Sequence, residues 1–115
     1  MPSINMAARA YAAASVNRST REQEADVFRG VIARLQSARQ TGQADRVRAL
    51  ADNRRLWTAV ADSVRDPENG LPPETRAGLL SIGLTVQREM DAPDPSFDFL
   101  IAVNKHIAEG LSGNP

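Results

Sequence analysis

A helical stripe of apolar residues broken by one asparagine constrains this chain more than any other feature. Val47, Leu50, Trp57, Val60 and Val64 recur at spacings of three and four, with Asn53 on the same stripe. That period belongs to an α-helix with one covered side. The amide of Asn53 needs a partner there, because burying an unpaired polar group is costly. A second segment repeats the design near the C-terminus: Leu100, Ile101, Asn104, Ile107, Ala108 and Leu111 form an apolar seam holding one asparagine.

Around these two segments the chain reads as helix throughout. No stretch sustains period-two alternation, so no strand is expected. An alanine-rich helix over about 5–16 has high intrinsic propensity but little to bury beyond Met6 and Tyr11, and is expected to be short and mobile. The next helix starts near Ser19, where Ser19–Glu22 and Thr20–Gln23 have capping-box spacing. Its stripe is Phe28, Val31, Ile32, Leu35 and Ala38, and Gly42 is expected to end it at positive φ. The Trp57 helix runs from about Ala44 to Val64. An Asn69-Gly70 pair and Pro72-Pro73 mark a turn before a helix starting at Pro73 or Glu74. There Leu79, Leu80, Ile82, Leu84, Val86 and Met90 wrap around much of the surface, which predicts a central helix. Gly78 and Gly83 admit a close neighbour. After a second proline-rich turn, Ser96 caps the last helix and Asp98 complements its dipole.

The expected fold is all-α: one domain over 1–115, with a leader over 1–17 and a small antiparallel bundle of four main helices over 19–112. Its predicted core holds Phe28, Val31, Leu35, Leu50, Trp57, Val60, Leu80, Leu100, Ile101 and Ile107.

Composition narrows function by exclusion. The chain has 115 residues, 42% of them apolar, with few aromatics. It has 14 basic and 14 acidic residues, a formal charge of zero, which counts against non-specific nucleic-acid binding. The charge is segregated: residues 1–55 carry ten Arg against five acids, and 56–115 carry four basic residues against nine acids. Two ends attracting each other across a folded domain is the simpler reading; a basic face for an acidic partner is the other. There is no cysteine, hence no disulfide or thiolate metal site. No segment reads as a membrane span or a signal peptide, so a soluble cytoplasmic protein is expected.

Catalytic chemistry finds no foothold. His106 stands alone, with no carboxylate four residues away. Asp62, Asp66 and Glu68 do not form a metal set. No phosphate loop or serine-nucleophile motif occurs. No enzyme activity, metal or cofactor is expected. Arg54 and Arg55 read either as an anion clamp or as edge residues with wet guanidinium groups. Asn53 and Asn104 read either as partner contacts or as groups satisfying backbone atoms inside the bundle.

Taken together, the landmarks resemble the FlaF-type flagellar biosynthesis regulators. They are Tyr11 in an alanine-rich leader, Ser19-Thr20-Arg21-Glu22 running on to Phe28, and Asn53-Arg54-Arg55-Leu56-Trp57. Gly70-Leu71-Pro72, Leu79-Leu80-Ser81-Ile82 and Leu100-Ile101-Ala102-Val103-Asn104 with Glu109-Gly110-Leu111 follow in order. Thr20, Thr85 and Ala102 depart from the pattern. The resemblance implies a protein that binds flagellin as a secretion chaperone and promotes its production and export. It would act beside a FlbT-type regulator and touch the export machinery indirectly. Alternatives are an RNA-binding regulator of flagellin synthesis and a helical adaptor for the FlbT-type protein. Candidate partner contacts are Tyr11, Arg54, Arg55, Phe99 and Asn104. Phe99 stands off the Phe97, Leu100, Ile101 stripe, two residues from Phe97, so the two rings diverge by about 200°.

Overall fold

The computed structural model describes residues 21–111. The expected leader helix, Tyr11 and the Ser19 and Thr20 caps lie outside them. Among the described residues there are four helices and no strand: α1 (21–38), α2 (Gln43–Arg65), α3 (Pro73–Met90) and α4 (Phe97–Leu111).

Cross-helix pairs fix the directions. Phe28 meets Trp57 and Arg34 meets Asp52, so α1 and α2 are antiparallel. Asn53 meets Met90, Trp57 meets Gly83, and Val64 meets Arg76, so α3 runs back along α2. Arg46 meets Phe97 and Trp57 meets Asn104, so α4 lies parallel to α2. The result is an up-down-up-down bundle in which α2 touches each of the other helices.

Local chemistry sets the helix ends. After α1 the amides of Gln40 and Thr41 reach back to Ser37 and Ala38, tightening its last turn. Gly42 does not close α1 at positive φ. It is the N-cap of α2, at φ −71° and ψ 172°, and its carbonyl accepts from Asp45 and Arg46. The tightened turn over 39–41 has already ended α1, which leaves Gly42 to open the next helix. At the other end of α2 the carbonyl of Val64 accepts from Arg76 Nε at 2.8 Å. Asp66 and Asn69 hold the following turn through their own side chains, accepting from the amides of Glu68 and Leu71 at 2.9 Å each. Pro73 sits in the first turn of α3, where no amide hydrogen is needed. Ser96 Oγ accepts from the amide of Phe99 at 3.2 Å and starts α4.

The core joins Phe28, Val31, Ile32 and Leu35 of α1 to Leu56 and Trp57 of α2, Val86 and Met90 of α3, and Phe97, Leu100 and Ile101 of α4. Four residues expected in it are only half-buried: Leu50, Val60, Leu80 and Ile107. Val47 is 54% exposed, because the buried face of α2 turns through Ala49, Asn53, Leu56 and Trp57 instead. Nor is α3 central. It buries Val86 and Met90 only, and Leu84 is 56% exposed. The central place is taken by α2, which already has a helix on each side, so the second apolar face of α3 is left uncovered.

This packing predicts unequal costs for two leucines. Leu100→Ala should lose about 2–5 kcal/mol from a fully enclosed site. Leu84→Glu should stay within about 0.5 kcal/mol of wild type. Urea titrations followed by circular dichroism check both; a large loss at Leu84 would mean that its face is covered.

Candidate functional site

Asn53 and Asn104 are both fully buried, and neither turns to a backbone group as the sequence suggested. They bond to each other. Trp57 Nε1 donates to Asn104 Oδ1 at 2.9 Å, Asn104 Nδ2 donates to Asn53 Oδ1 at 2.7 Å, and Asn53 Nδ2 reaches Met90 Sδ at 3.2 Å. The indole nitrogen can only donate. Asn104 must therefore turn its oxygen to Trp57 and its nitrogen to Asn53, and Asn53 must answer with its oxygen. One donor-only group sets the direction of the whole chain of bonds. No buried side-chain nitrogen or oxygen among the described residues lacks a partner. With its side chain enclosed and bonded, Asn104 presents nothing to a binding partner. Its neighbours enclose Trp57: the ring meets Phe28 edge-on at 6.1 Å, and Gly83 of α3 faces it, where an added Cβ would lie in ordinary contact 3.5 Å from the indole.

The arginine pair divides. Arg54 donates to Gln87 Oε1 and Asp91 Oδ1, each at 2.9 Å, so its guanidinium clamps α2 to the carboxyl end of α3. Arg55 keeps an 80% exposed side chain, with Asp52 at 3.2 Å as a neighbour one turn away. Asp52 also takes Arg34 at 2.9 Å. Phe97 and Phe99 separate as their spacing requires. Phe97 is buried beneath the Arg46 guanidinium, 4.4 Å from the ring centroid, and Phe99 is 36% exposed. Tyr11 lies outside the described residues, and His106 is exposed. Among the described residues no three potential metal ligands gather, and no helix is long and apolar enough to cross a membrane.

Two clefts remain. One, about 320 Å³, runs between α2 and α3 past Thr58, Ala61, Leu80, Gly83 and Leu84, and Asp62 and Arg65 also line it. The other, about 300 Å³, opens at the end of the bundle where α1 begins. Val27 and Phe28 of α1, Val60 and Val64 of α2, Leu71 and Leu79 around the second turn, and Ile107 and Leu111 of α4 form its walls. Among the described residues, Glu24 is the one charged residue lining it. Val27 and Leu71 are 55% and 38% exposed there. Sequence periodicity missed this cleft. Val60 and Ile107 read as core, and Val27 and Leu71 belong to no stripe; their convergence depends on how four helices end together. Phe99 lies eight residues before Ile107, about 12 Å along α4, and is not part of it.

A family model described as "Flagellar protein FlaF" matches residues 7–111, and the chain belongs to that family. No match was found among curated proteins or among solved structures. The match spans both asparagine-bearing helices, and it begins within the alanine-rich leader.

The amide chain yields a testable coupling. Asn104→Ala should cost about 3 kcal/mol, since it strands the Trp57 N–H and half of the Asn53 amide. Asn53→Ala, alone and combined with Asn104→Ala, completes a double-mutant cycle whose interaction energy should reach about 1–3 kcal/mol. Strictly additive losses in denaturant titrations would contradict a shared network.

Proposed function

We propose that this FlaF-family protein binds flagellin as a secretion chaperone and thereby promotes flagellin production and export. One observation carries the reading: the helix-lined cleft of Val27, Val60, Leu71, Leu79, Ile107 and Leu111 leaves apolar walls open on a chain with no assembled reactive site among its described residues. Such a cleft suits the apolar face of an amphipathic helix, which anchors through residues three and four apart. A flagellin segment of that kind would be shielded from self-association until export. The charge pattern argues against the RNA-binding alternative. Arg34, Arg39, Arg46 and Arg54 each pair with an aspartate of the same chain, so the arginine-rich half does not offer a stripe of uncommitted guanidinium groups.

Calorimetric titration of purified flagellin tests the reading. Val27→Asp places a charge in the cleft at a half-exposed position, so folding should survive. Its flagellin affinity should fall about tenfold or more, the equivalent of losing at least about 1.4 kcal/mol of apolar contact. Phe99→Ala, outside the cleft, should change affinity less than twofold. Raised salt should weaken wild-type binding only modestly, because apolar contact is not screened. Unchanged affinity in Val27→Asp with a loss in Phe99→Ala would move the site to α4.

A further inference from the structure

We propose that the outer face of α3 is a self-complementary docking surface, on which a second copy of this chain seats its own α3 antiparallel to the first. The inference is independent of the function proposed above. Leu79, the α3 residue that lines the flagellin cleft, points about 160° away from Ser81 at the centre of this face.

Three features of α3 have no explanation within one chain. The first is a face without charge. Ala77, Gly78, Ser81, Leu84 and Thr85 all fall within about 60° of the direction of Ser81. All five are exposed. A helix face turned to water ordinarily carries charged groups, and more than two turns here carry none. Leu84, 56% exposed, stands at the rim of the 320 Å³ cleft between α2 and α3. The second feature is a glycine. Gly83 faces Trp57, but a Cβ added at Gly78 would meet no described atom within 4 Å. Glycine inside a helix is costly, and no contact among the described residues offsets that cost. The third is a pair of charges at the two ends of the face. Glu74 and Arg88 are exposed, and neither has an ion pair or a side-chain hydrogen bond among the described residues.

One arrangement answers all three. Glu74 and Arg88 stand seven residues to either side of Ser81. A twofold axis at Ser81 therefore sets Glu74 of each copy against Arg88 of the other, giving two ion pairs in one symmetric contact. Leu84 and Gly78 stand three residues to either side of the same point. The same axis sets Leu84 of each copy over Gly78 of the other, so the missing side chain becomes the hole that the leucine fills. Thr85 meets Ala77 in the same way. Its hydroxyl already bonds the Ser81 carbonyl at 3.3 Å and needs no outside partner. The contact spans about 21 Å of helix, the rise of the fourteen residues from Glu74 to Arg88. Two helices over that length bury less than the roughly 1,200 Å² of a standard interface, so pairing is weak, with a dissociation constant on the order of 0.1 mM. In a dilute denaturant titration the chain is then a monomer, and the small cost expected for Leu84→Glu is unaffected.

Sedimentation equilibrium of the full-length chain, from about one-tenth to ten times that dissociation constant, tests the surface. The weight-average mass should climb from that of one chain toward that of two. Glu74→Arg and Arg88→Glu each put like charges opposite one another at both ends, and each alone should weaken pairing about tenfold or more. Mixed in equal amounts, the two variants again oppose unlike charges, and pairing should return to within about threefold of wild type. Both charges also suit the dipole of their own helix. Mixing alters neither helix, so its rescue reads the contact between copies. Gly78→Leu fills the hole and should abolish pairing over the whole range. These positions are exposed, so the variants should keep the circular dichroism of the wild type. A wild type that stays monomeric throughout overturns the proposal and leaves the face to a partner of another kind. A dimer indifferent to either charge reversal or to Gly78→Leu overturns it too, since the second copy would be seated elsewhere. So does a mixture that fails to pair. Growth beyond two chains also counts against it, because an isologous contact closes on itself.

Discussion

The donor-only indole of Trp57 governs this bundle. Its hydrogen must find an oxygen, Asn104 supplies one, and the remaining half of that amide is then aimed at Asn53. Apolar helices can slide against one another at little cost, because a leucine packs nearly as well one turn along. A buried amide pair cannot. Moving α4 by a turn, about 5.4 Å, would strand a donor and an acceptor in a place without water. α4 is the helix that most needs such a stop, since its buried face is otherwise built from Phe97, Leu100, Ile101 and Ala108. The Met90 sulfur ends the chain of bonds and ties α3 into the same register. Buried polar networks carry high stakes of this sort: complete, they select one arrangement; incomplete, they penalise it.

Charge does a different job. Arg39–Asp98, Arg46–Asp94 and Arg54–Asp91 each join the basic first half of the chain to the acidic second half. The first two lie at the end of the bundle where α2 and α4 start, and the third joins the middle of α2 to the end of α3. Each is substantially exposed, so each is worth no more than about 1 kcal/mol. Their value is directional: opposite charges at one end favour the antiparallel order over its alternatives. The other end has no such clamps among the described pairs, and it is where the apolar cleft opens. The molecule is thus polarised along its axis, with charge closing one end and apolar walls exposed at the other.

The helices were legible from the sequence because their signals are local. Proline at the start of α3, serine before α4 and the spacing of Phe28, Val31 and Leu35 need no distant partner to act. The rotation of each helix was less legible. Periodicity gave the stripe Val47, Leu50, Asn53, Trp57, Val60 and Val64, yet the covered face of α2 is shifted toward Ala49 and Leu56, because three neighbours share it. The apolar content of α3 gave no sign that one of its faces would stay open, since Leu84 and Val86 look alike in sequence. Asn53 and Asn104 stood out as anomalies in apolar seams, and that much was readable. Their pairing across 51 residues was not, because nothing local links them.

These features together explain how binding can be separated from folding. The amide chain sits among α2, α3 and α4 and needs no outside partner for its oxygen and nitrogen atoms. The cleft runs along the same helices from Phe28 and Leu56 toward Val64 and Leu111. A side chain such as Val27, more than half exposed, has given up part of the roughly 1.5–3 kcal/mol that full burial would bring. A handful of such positions is a tolerable loss for a bundle whose register is fixed elsewhere. The same positions would be intolerable in the middle of the bundle, where the indole and both amides depend on exclusion of water. None of the three bonds of the amide chain lies in the cleft wall, although Phe28 belongs both to that wall and to the surroundings of Trp57. That separation suits the function proposed above, in which a bound helix is shielded and later released.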